Sequence, residues 1–167
     1  MKKIVSFLLT ITLLLCNGIA VLAEEIPMPP ADQISSNPSY AFVEKHFYYD
    51  QDENSSTRAG EDGMGIVYIN ALILPKSSNS VSISLTTTAN MICMEIGGIY
   101  RIERWINNDW SIYTIDSFWS RSASSGSIET DISVESGYYY RIYCIHMAFS
   151  TRTTASIIST TESVLVN

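Results

Sequence analysis

The residues that could carry out chemistry are few in this 167-residue chain, and they lie far apart. The histidines are His46 and His146, and two of the three cysteines are Cys93 and Cys144. A zinc site needs three or four histidine, cysteine or carboxylate ligands that converge on one ion. Cys93, Cys144 and His146 could supply three such ligands, but two cysteines joined in a disulfide would not bind the ion. We therefore expect a packed or solvated histidine rather than a metal ligand.

The segment from Asp50 to Glu61, DQDENSSTRAGE, has the spacing of a calcium loop. The oxygen ligands at loop positions one, three, five and twelve would be Asp50, Asp52, Asn54 and Glu61. Ser55 stands where a glycine makes the sharp turn of such loops, and Arg58 places a positive charge among the ligands. An acidic, solvated linker is therefore the main interpretation, and the calcium loop remains a weak metal candidate.

Motifs of nucleophilic catalysis are missing from the sequence. It contains no Gly-x-Ser-x-Gly elbow, no His-Glu-x-x-His pair and no cysteine beside a suitable base. Carboxylates such as Glu103 and Asp116 occur throughout an acidic chain, so they give no specific sign of glycoside hydrolysis. We expect neither an enzyme nor a cofactor. A small secreted hydrolase without a recognisable motif is the alternative.

Aromatic side chains are the strongest candidates for a binding surface, and the ones we single out are Trp105, Trp110 and Tyr139. Alternate residues of a strand face opposite sides, so Tyr138, Tyr139 and Tyr140 cannot all point inward. At least one of these rings must meet solvent, the N-terminal segment or a partner. One interpretation packs the rings in the core and against arginine. The other exposes them to stack on sugars or to receive an apolar protein surface.

The first 23 residues have the order of a secretory signal. Two lysines follow Met1, and an apolar run extends from Ile4 to Cys16. The small residue Ala23 stands directly before Glu24. We expect cleavage after Ala23, because the apolar core is shorter than the ~20 residues of a membrane span. An uncleaved anchor is the alternative.

Cleavage would leave 144 residues, enough for one domain, and the loss of two lysines would change the net charge from −7 to −9. So acidic a chain repels phosphate backbones and anionic lipid, which argues against binding to nucleic acid and to membrane surfaces. No second apolar stretch is long enough to span a bilayer, so we expect no membrane insertion after cleavage of the signal. We expect a secreted or loosely surface-associated product with an unknown extracellular ligand, either protein or glycan. Cys93 and Cys144 are then the minimum for a disulfide in an exported chain, and two buried thiols are the alternative.

Residues 24–63 are predicted to form a polar, partly disordered tether, because prolines are frequent and apolar periodicity is missing. Within it, residues 40–43 and 46–49 bring back aromatic side chains as an arm that could pack on the domain. From 64 to 167 the pattern changes. Val81, Ile83 and Leu85 alternate with hydroxyl residues, which is the period of a half-buried strand.

Turn residues divide this region into short strands. The breaks are predicted at Pro75–Ser78, Asn107–Asn108, Arg121–Gly126 and Glu135–Gly137. The strands are predicted at about 65–74, 81–88, 91–97, 99–106, 110–119, 127–134, 138–149 and 155–165. The sequence therefore predicts an all-β domain at 64–167, an antiparallel β-sandwich of about seven or eight strands. Asn107–Asn108 is predicted as a two-residue primed turn, because asparagine tolerates positive φ.

The hairpin and two later motifs resemble a known family. These motifs are Ile102-Glu103-Arg104-Trp105 with Trp110, then Phe118-Trp119-Ser120, and then Ser136-Gly137-Tyr138-Tyr139-Tyr140-Arg141-Ile142. Between about Arg58 and Ile145 the chain resembles small exported proteins of Gram-positive bacteria, whose single β-sandwich has no assigned function. That family often has Asn-Gly at the turn, where this chain has Asn-Asn. The resemblance implies fold and export, and it implies no activity.

Together these observations predict a secreted or cell-surface β-sandwich that is a non-catalytic binding or structural module. A carbohydrate-contacting module is the alternative within binding proteins, and the small hydrolase is the alternative from another class.

Overall fold

The computed structural model describes residues 26–47 and 63–167, and this part of the chain contains one antiparallel sheet of seven strands and no α-helix. A short 3-10 turn at Ala31–Gln33 comes first. The strands are β1 (Ala41–His46), β2 (Ile66–Ser77), β3 (Ser80–Ile106), β4 (Asp109–Ser133), β5 (Tyr138–Phe149), β6 (Thr154–Thr160) and β7 (Val164–Val166). The predicted all-β, antiparallel fold is confirmed.

β3 and β4 form one hairpin whose strands have 27 and 25 residues, far more than the usual ~5–6. Its register is interrupted between Thr88 and Cys93, where four residues of β3 stand opposite a single residue of β4. On β4 nearby, Ser122 has a φ of 50°. Such a bulge bends a strand pair and increases its twist. The hairpin therefore turns a corner here, and each long strand contributes to two layers.

The first layer contains β1, β2, residues 80–88 of β3 and residues 125–133 of β4, in that order. The second layer contains residues 109–123 of β4, residues 93–106 of β3, and then β5. β6 and β7 pair one after the other along the far edge of β5. The two layers are thus halves of one sheet that is folded onto itself.

The main core lies between the layers, where inward side chains of both halves meet. From the first layer it contains Ala71, Ile73, Val81, Ile83 and Leu85, and from the second Tyr100, Ile102, Tyr140, Ile142 and Cys144. A smaller cluster fills the corner, with Met64, Ile66, Ile69, Ala89, Cys93, Ile96 and Ala148. The predicted alternation along residues 81–85 is confirmed, because the apolar positions are buried.

Glycines allow the backbones to approach closely near the corner. A Cβ at Gly126, on the first-layer part of β4, would collide with the carbonyl oxygen of Ile96 in the second layer. A Cβ at Gly98 would lie 2.6 Å from the carbonyl oxygen of Ile145. Both carbonyl oxygens belong to backbone that is held in strands, so they cannot move aside as the end of a flexible side chain could. The fold at the corner therefore needs glycine at these positions.

The N-terminal segment, residues 26–40, runs along the second layer and then crosses to the first, and we call it the strap. Ile34 bridges in parallel to Ser163, and the Ser163 amide donates to the Gln33 carbonyl oxygen at 2.8 Å. β1 then continues the chain as an edge strand on β2. Residues 41–43 and 46 of the predicted aromatic arm lie in β1, so this part of the predicted tether is built into the sheet, while residues 48 and 49 lie outside the described residues.

The turn predictions have mixed outcomes. Asn107 and Asn108 have φ values of 54° and 60°, which confirms the primed turn, and Trp105 pairs with Trp110 across it. The break predicted at 121–126 is wrong, because β4 continues through these residues. Serine and glycine allow the strand to bend there without ending its hydrogen-bond ladder. The three strands predicted at 81–88, 91–97 and 99–106 are likewise a single strand, β3. No helix in the described part of the chain is long and apolar enough to cross a membrane.

Replacing Gly126 by alanine should destabilise the fold, because the new methyl group must displace the Ile96 backbone. We expect a loss of about 2–3 kcal/mol in the free energy of unfolding, measured by urea denaturation. Ser124→Ala, at an exposed site in the same bend, serves as the matched control and should change stability by less than about 0.5 kcal/mol. Equal effects of the two substitutions would contradict the proposed role of the backbone contact.

Candidate functional site

Along β3 and β4 the outer surfaces of the two layers differ in chemistry. Residues paired across an antiparallel ladder lie on the same face, so the register assigns each outward position. In the first layer the outward positions of β3 and β4 carry hydroxyls or carboxylates, namely Ser82, Ser84, Thr86, Thr88, Ser125, Ser127, Glu129 and Asp131. In the second layer most outward positions are apolar. We call this surface the apolar face, and it contains Ile99, Ile112, Ile115, Trp119, Ile145, Met147, Phe149 and Ile158.

The apolar face extends across four strands. At its centre Ile99 pairs with Ile145, which in turn pairs with Ile158 on β6. On the opposite side Ile115 lies on β4, and Ile115 and Ile158 are 58% and 54% exposed. An outward position in a solvated sheet is normally polar, so a run of exposed aliphatic side chains in neighbouring strands marks an interaction surface.

Polar groups border the apolar face. At one end Trp119, which is 40% exposed, contacts the Phe149 ring with centroids 5.8 Å apart, and the Arg121 Nε to Glu95 Oε1 distance is 2.9 Å. At the other end the Arg101 guanidinium lies 4.0 Å from the centroid of the Tyr143 ring. The surface therefore has an apolar centre and a charged rim, the usual arrangement of a protein interface.

The three aromatic residues singled out from the sequence are buried or half-buried, and the strap contacts two of them, Trp110 and Tyr139. Trp105 is 7% exposed and Tyr139 is 8% exposed, while Trp110 is half-buried. Trp110 Nε1 donates to Gln33 Oε1 at 2.7 Å, and the Arg141 guanidinium lies 4.1 Å from the Trp110 ring. These rings are on the outer side of the second layer, next to the apolar face, and in this structure they contact the chain itself.

The three consecutive tyrosines are accommodated on both sides of β5. Tyr140 points into the core, where its hydroxyl donates to the Glu135 carbonyl oxygen at 2.9 Å. Tyr139 points outward and borders a cavity of about 560 Å³, lined also by Ile26, Pro27, Met28 and Leu165. Tyr138 is half-buried, and the Arg104 guanidinium lies 4.5 Å from its ring. The ring that the sequence analysis expected to meet solvent, the N-terminal segment or a partner thus meets the strap.

Glu103 is a carboxylate buried on the outer side of the second layer, with only 3% of its surface exposed. Arg141 Nε donates to Glu103 Oε2 at 2.7 Å. Arg101 Nε lies 2.7 Å from Oε1 as an ion pair, at an angle that does not make a hydrogen bond. Asp116 pairs with Tyr100, so it lies on the opposite side of the sheet. Glu103 and Asp116 therefore cannot flank one scissile bond as a glycosidase pair would.

His146 is fully buried between the main core and the corner cluster. Thr87 Oγ1 donates to the Gly97 carbonyl oxygen at 2.9 Å, so it accepts from His146 Nδ1 at 2.8 Å. Ser159 Oγ donates to Nε2 at 2.8 Å. Burial lowers the pKa of His146 from 6.5 to about 4, so the ring is neutral at pH 7. Both ring nitrogens are satisfied, and the residue joins the two layers as a structural group.

The predicted disulfide is corrected by the structure, which has no bond between Cys93 and Cys144. Cys144 pairs with Tyr100, and Cys93 lies seven residues further along β3, roughly 20 Å away. A disulfide needs Cα atoms within about 7 Å. Cys93 Sγ instead lies 3.6 Å from Met64 Sδ, and burial raises the pKa of the Cys144 thiol to about 12.

The metal candidates have different outcomes. Cys93, Cys144 and His146 do not converge, because Cys93 and Cys144 are held far apart on paired strands. Residues 26–47 and 63–167 contain no group of three or more histidine, cysteine or acidic residues placed to hold an ion. The calcium-loop candidate, Asp50, Asp52, Asn54 and Glu61, lies outside the described residues, so it stays a prediction.

The apolar face was missed because the sequence analysis considered rings rather than aliphatic residues. The signal is present in the sequence, since the segment 142–145 is apolar at both odd and even positions, and the adjacent residues Ile99 and Tyr100 are both apolar. A strand that is apolar on both sides either is buried on both or carries a surface patch. The polar alternation along 81–88 provides the contrast within the same chain.

Replacing Glu103 by alanine should destabilise the fold, because two arginines lose their counter-charge in a poorly solvated site. We expect a loss of about 3 kcal/mol in the free energy of unfolding by urea denaturation. Glu95→Ala removes the partner of the exposed Arg121, and as the control it should cost less than about 1 kcal/mol. A loss from Glu103→Ala no larger than that from the control would show that the buried ion pairs are dispensable.

The free energy of unfolding should decrease as the pH falls, because the buried His146 resists protonation in the folded chain. The unfolded chain takes up a proton near pH 6.5, whereas the folded chain takes it up only near pH 4. The free energy of unfolding should therefore decrease from pH 6.5 to pH 4, by up to about 3 kcal/mol from this residue. His146→Gln should lose this component of the pH dependence, and the exposed control His46→Gln should keep it. Identical pH profiles of the wild type and His146→Gln would refute the assignment.

Comparisons with models of protein families, with curated proteins and with solved structures found no match for this chain. The resemblance to exported Gram-positive proteins thus rests on its motifs alone and stays an expectation.

Proposed function

We propose that this protein is an exported, non-catalytic binding module whose contact surface is the apolar face. The observation that carries the proposal is the exposed aliphatic surface on a rigid four-stranded layer, which has no role in the core of the chain itself. Export follows from the signal-like first 23 residues and remains part of the proposal. Contact outside the cell would remove the apolar face from water and provide the binding energy.

An apolar protein surface fits the apolar face better than a carbohydrate does. Sugar platforms present flat rings together with hydrogen-bonding groups, whereas the most exposed side chains here are Ile112, Ile115 and Ile158. Trp119 presents a ring, but it leans on Phe149 with an interplanar angle of 47°. Of the other two tryptophans, Trp105 is buried and Trp110 is half-buried beside the strap residue Gln33. We therefore favour a protein ligand over the carbohydrate alternative.

The proposal of a non-catalytic role is supported by the state of the titratable groups. His146 and its hydroxyl partner Ser159 are sealed in the core, where no substrate can reach them. Glu103 is held by two arginines, and the Cys144 thiol is buried with a raised pKa. Each of these groups is used to stabilise the fold.

Photocrosslinking tests the contact surface directly. A benzoylphenylalanine residue introduced at position 115, on the apolar face, should give a covalent protein adduct when the producing cells are irradiated. The same residue at position 84, outward on the first layer, is the matched control and should give none. No adduct at 115, or equal adducts at both positions, would refute binding through this face. Glycan release or hydrolytic turnover by the purified chain would favour the alternatives.

A further inference from the structure

We infer that the partner of the apolar face is a second copy of this chain, so that two protomers pack face to face through their second layers. This inference rests on the proposed function, since it names the protein that the contact surface binds. The evidence is the extent of the face, the charges around it and its position on a regular sheet.

The area of the apolar face is sufficient for a dimer. Four neighbouring strands at a spacing of ~4.8 Å give a width of roughly 20 Å with their side chains. The eight-residue rise along β3 from Glu95 to Glu103 gives a length of roughly 26 Å. One copy thus offers on the order of 500 Å². Two copies bury about 1,000 Å², which is where specific interfaces begin.

The charges around the apolar face are compatible with a second copy of the chain. The chain has a net charge of −7, but the rim of the apolar face pairs Arg121 with Glu95, and both Arg101 and Arg141 with Glu103. On the first layer Asp131 pairs with Lys76, and Glu129 points outward. In a face-to-face dimer the first layers lie on the two outer sides, further apart than the ~8–10 Å over which salt screens charges, so their mutual repulsion is weak. The contact itself brings together two faces whose rim charges are paired within each copy.

A two-fold axis through the centre of the face makes the contact self-complementary. Two sheets that pack face to face lie ~10 Å apart, and their side chains interdigitate as in a sandwich core. In an isologous contact the residues nearest the axis meet their own copies. Ile99 occupies the middle of the face, with Ile145 beside it, so it is the residue placed to contact its symmetry mate.

Sedimentation equilibrium of the purified, processed chain tests the dimer. Over a range of about 1–200 µM the wild type should pass from monomer to dimer. Ile99→Lys places like charges at the axis and should weaken association roughly 100-fold or more, while Ser84→Lys on the first layer should leave it unchanged. A wild type that remains monomeric at about 200 µM, or a dimer that Ile99→Lys leaves intact, would overturn the inference.

A charge-swap experiment shows whether a loss of association comes from misfolding. The variants Ile99→Lys and Ile99→Glu should each be monomeric, with the circular dichroism of the wild type. Mixed together, they should form a heterodimer, because opposite charges then meet at the axis. Failure of the mixture to associate would count against contact at Ile99. If position 115 crosslinks to a different protein while the purified chain stays monomeric, the inference fails and the proposed function stands.

Discussion

The close approach of two backbones at the corner of the β3–β4 hairpin is the constraint on which the rest of the structure depends. Gly126 and the segment of Ile96 to Gly98 allow one strand pair to cross directly over the other. Without that approach the hairpin would remain a single long ribbon with one side of each half exposed. With it, the inward residues of both halves enclose one core. β2 then lies in the first layer and β5 in the second. A short run of small residues therefore decides the architecture.

Polar groups then fix how the two layers are aligned. His146 on β5 is hydrogen-bonded to Thr87 in the first layer and to Ser159 on β6, so it specifies one relative position of three strands. A purely apolar contact would allow the layers to slide, whereas a buried histidine with two partners has one satisfied geometry. Glu103 acts similarly on the outer side, where two arginines hold it. The buried polar groups thus select one alignment of the two layers, and the apolar core provides most of the stabilisation of the fold.

Periodicity and turn chemistry predicted much of this fold from the sequence. The alternation along 81–85 and the Asn107–Asn108 turn both identify local structure that depends on neighbouring residues only. The sequence did not predict that β4 runs through residues 121–126, because a segment rich in serine and glycine is equally compatible with a loop and with a bent strand. The prediction of a disulfide was wrong for a similar reason, since the spacing of two cysteines in the sequence carries no information on strand register.

The candidate site was predicted less well than the fold, and the reason is physical. Trp105, Trp110 and Tyr139 were selected by residue type, but their exposure depends on tertiary contacts, such as those of the strap with Trp110 and Tyr139. The aliphatic residues of the apolar face resemble core residues in the sequence. Only the register, which places Ile99, Ile145 and Ile158 in one outward row, separates them from the core.

The contact between the strap and Ser163 joins segments that are far apart in the sequence. Gln33 and Ser163 are 130 positions apart, and the Ser163 amide and hydroxyl both donate to the Gln33 carbonyl oxygen. The β3–β4 hairpin can form from contacts that are closer in the sequence, whereas this contact requires β5 to β7 to be in place. The strap is therefore expected to dock late in folding, and until then Trp110 and Tyr139 lack the contacts that it makes with them.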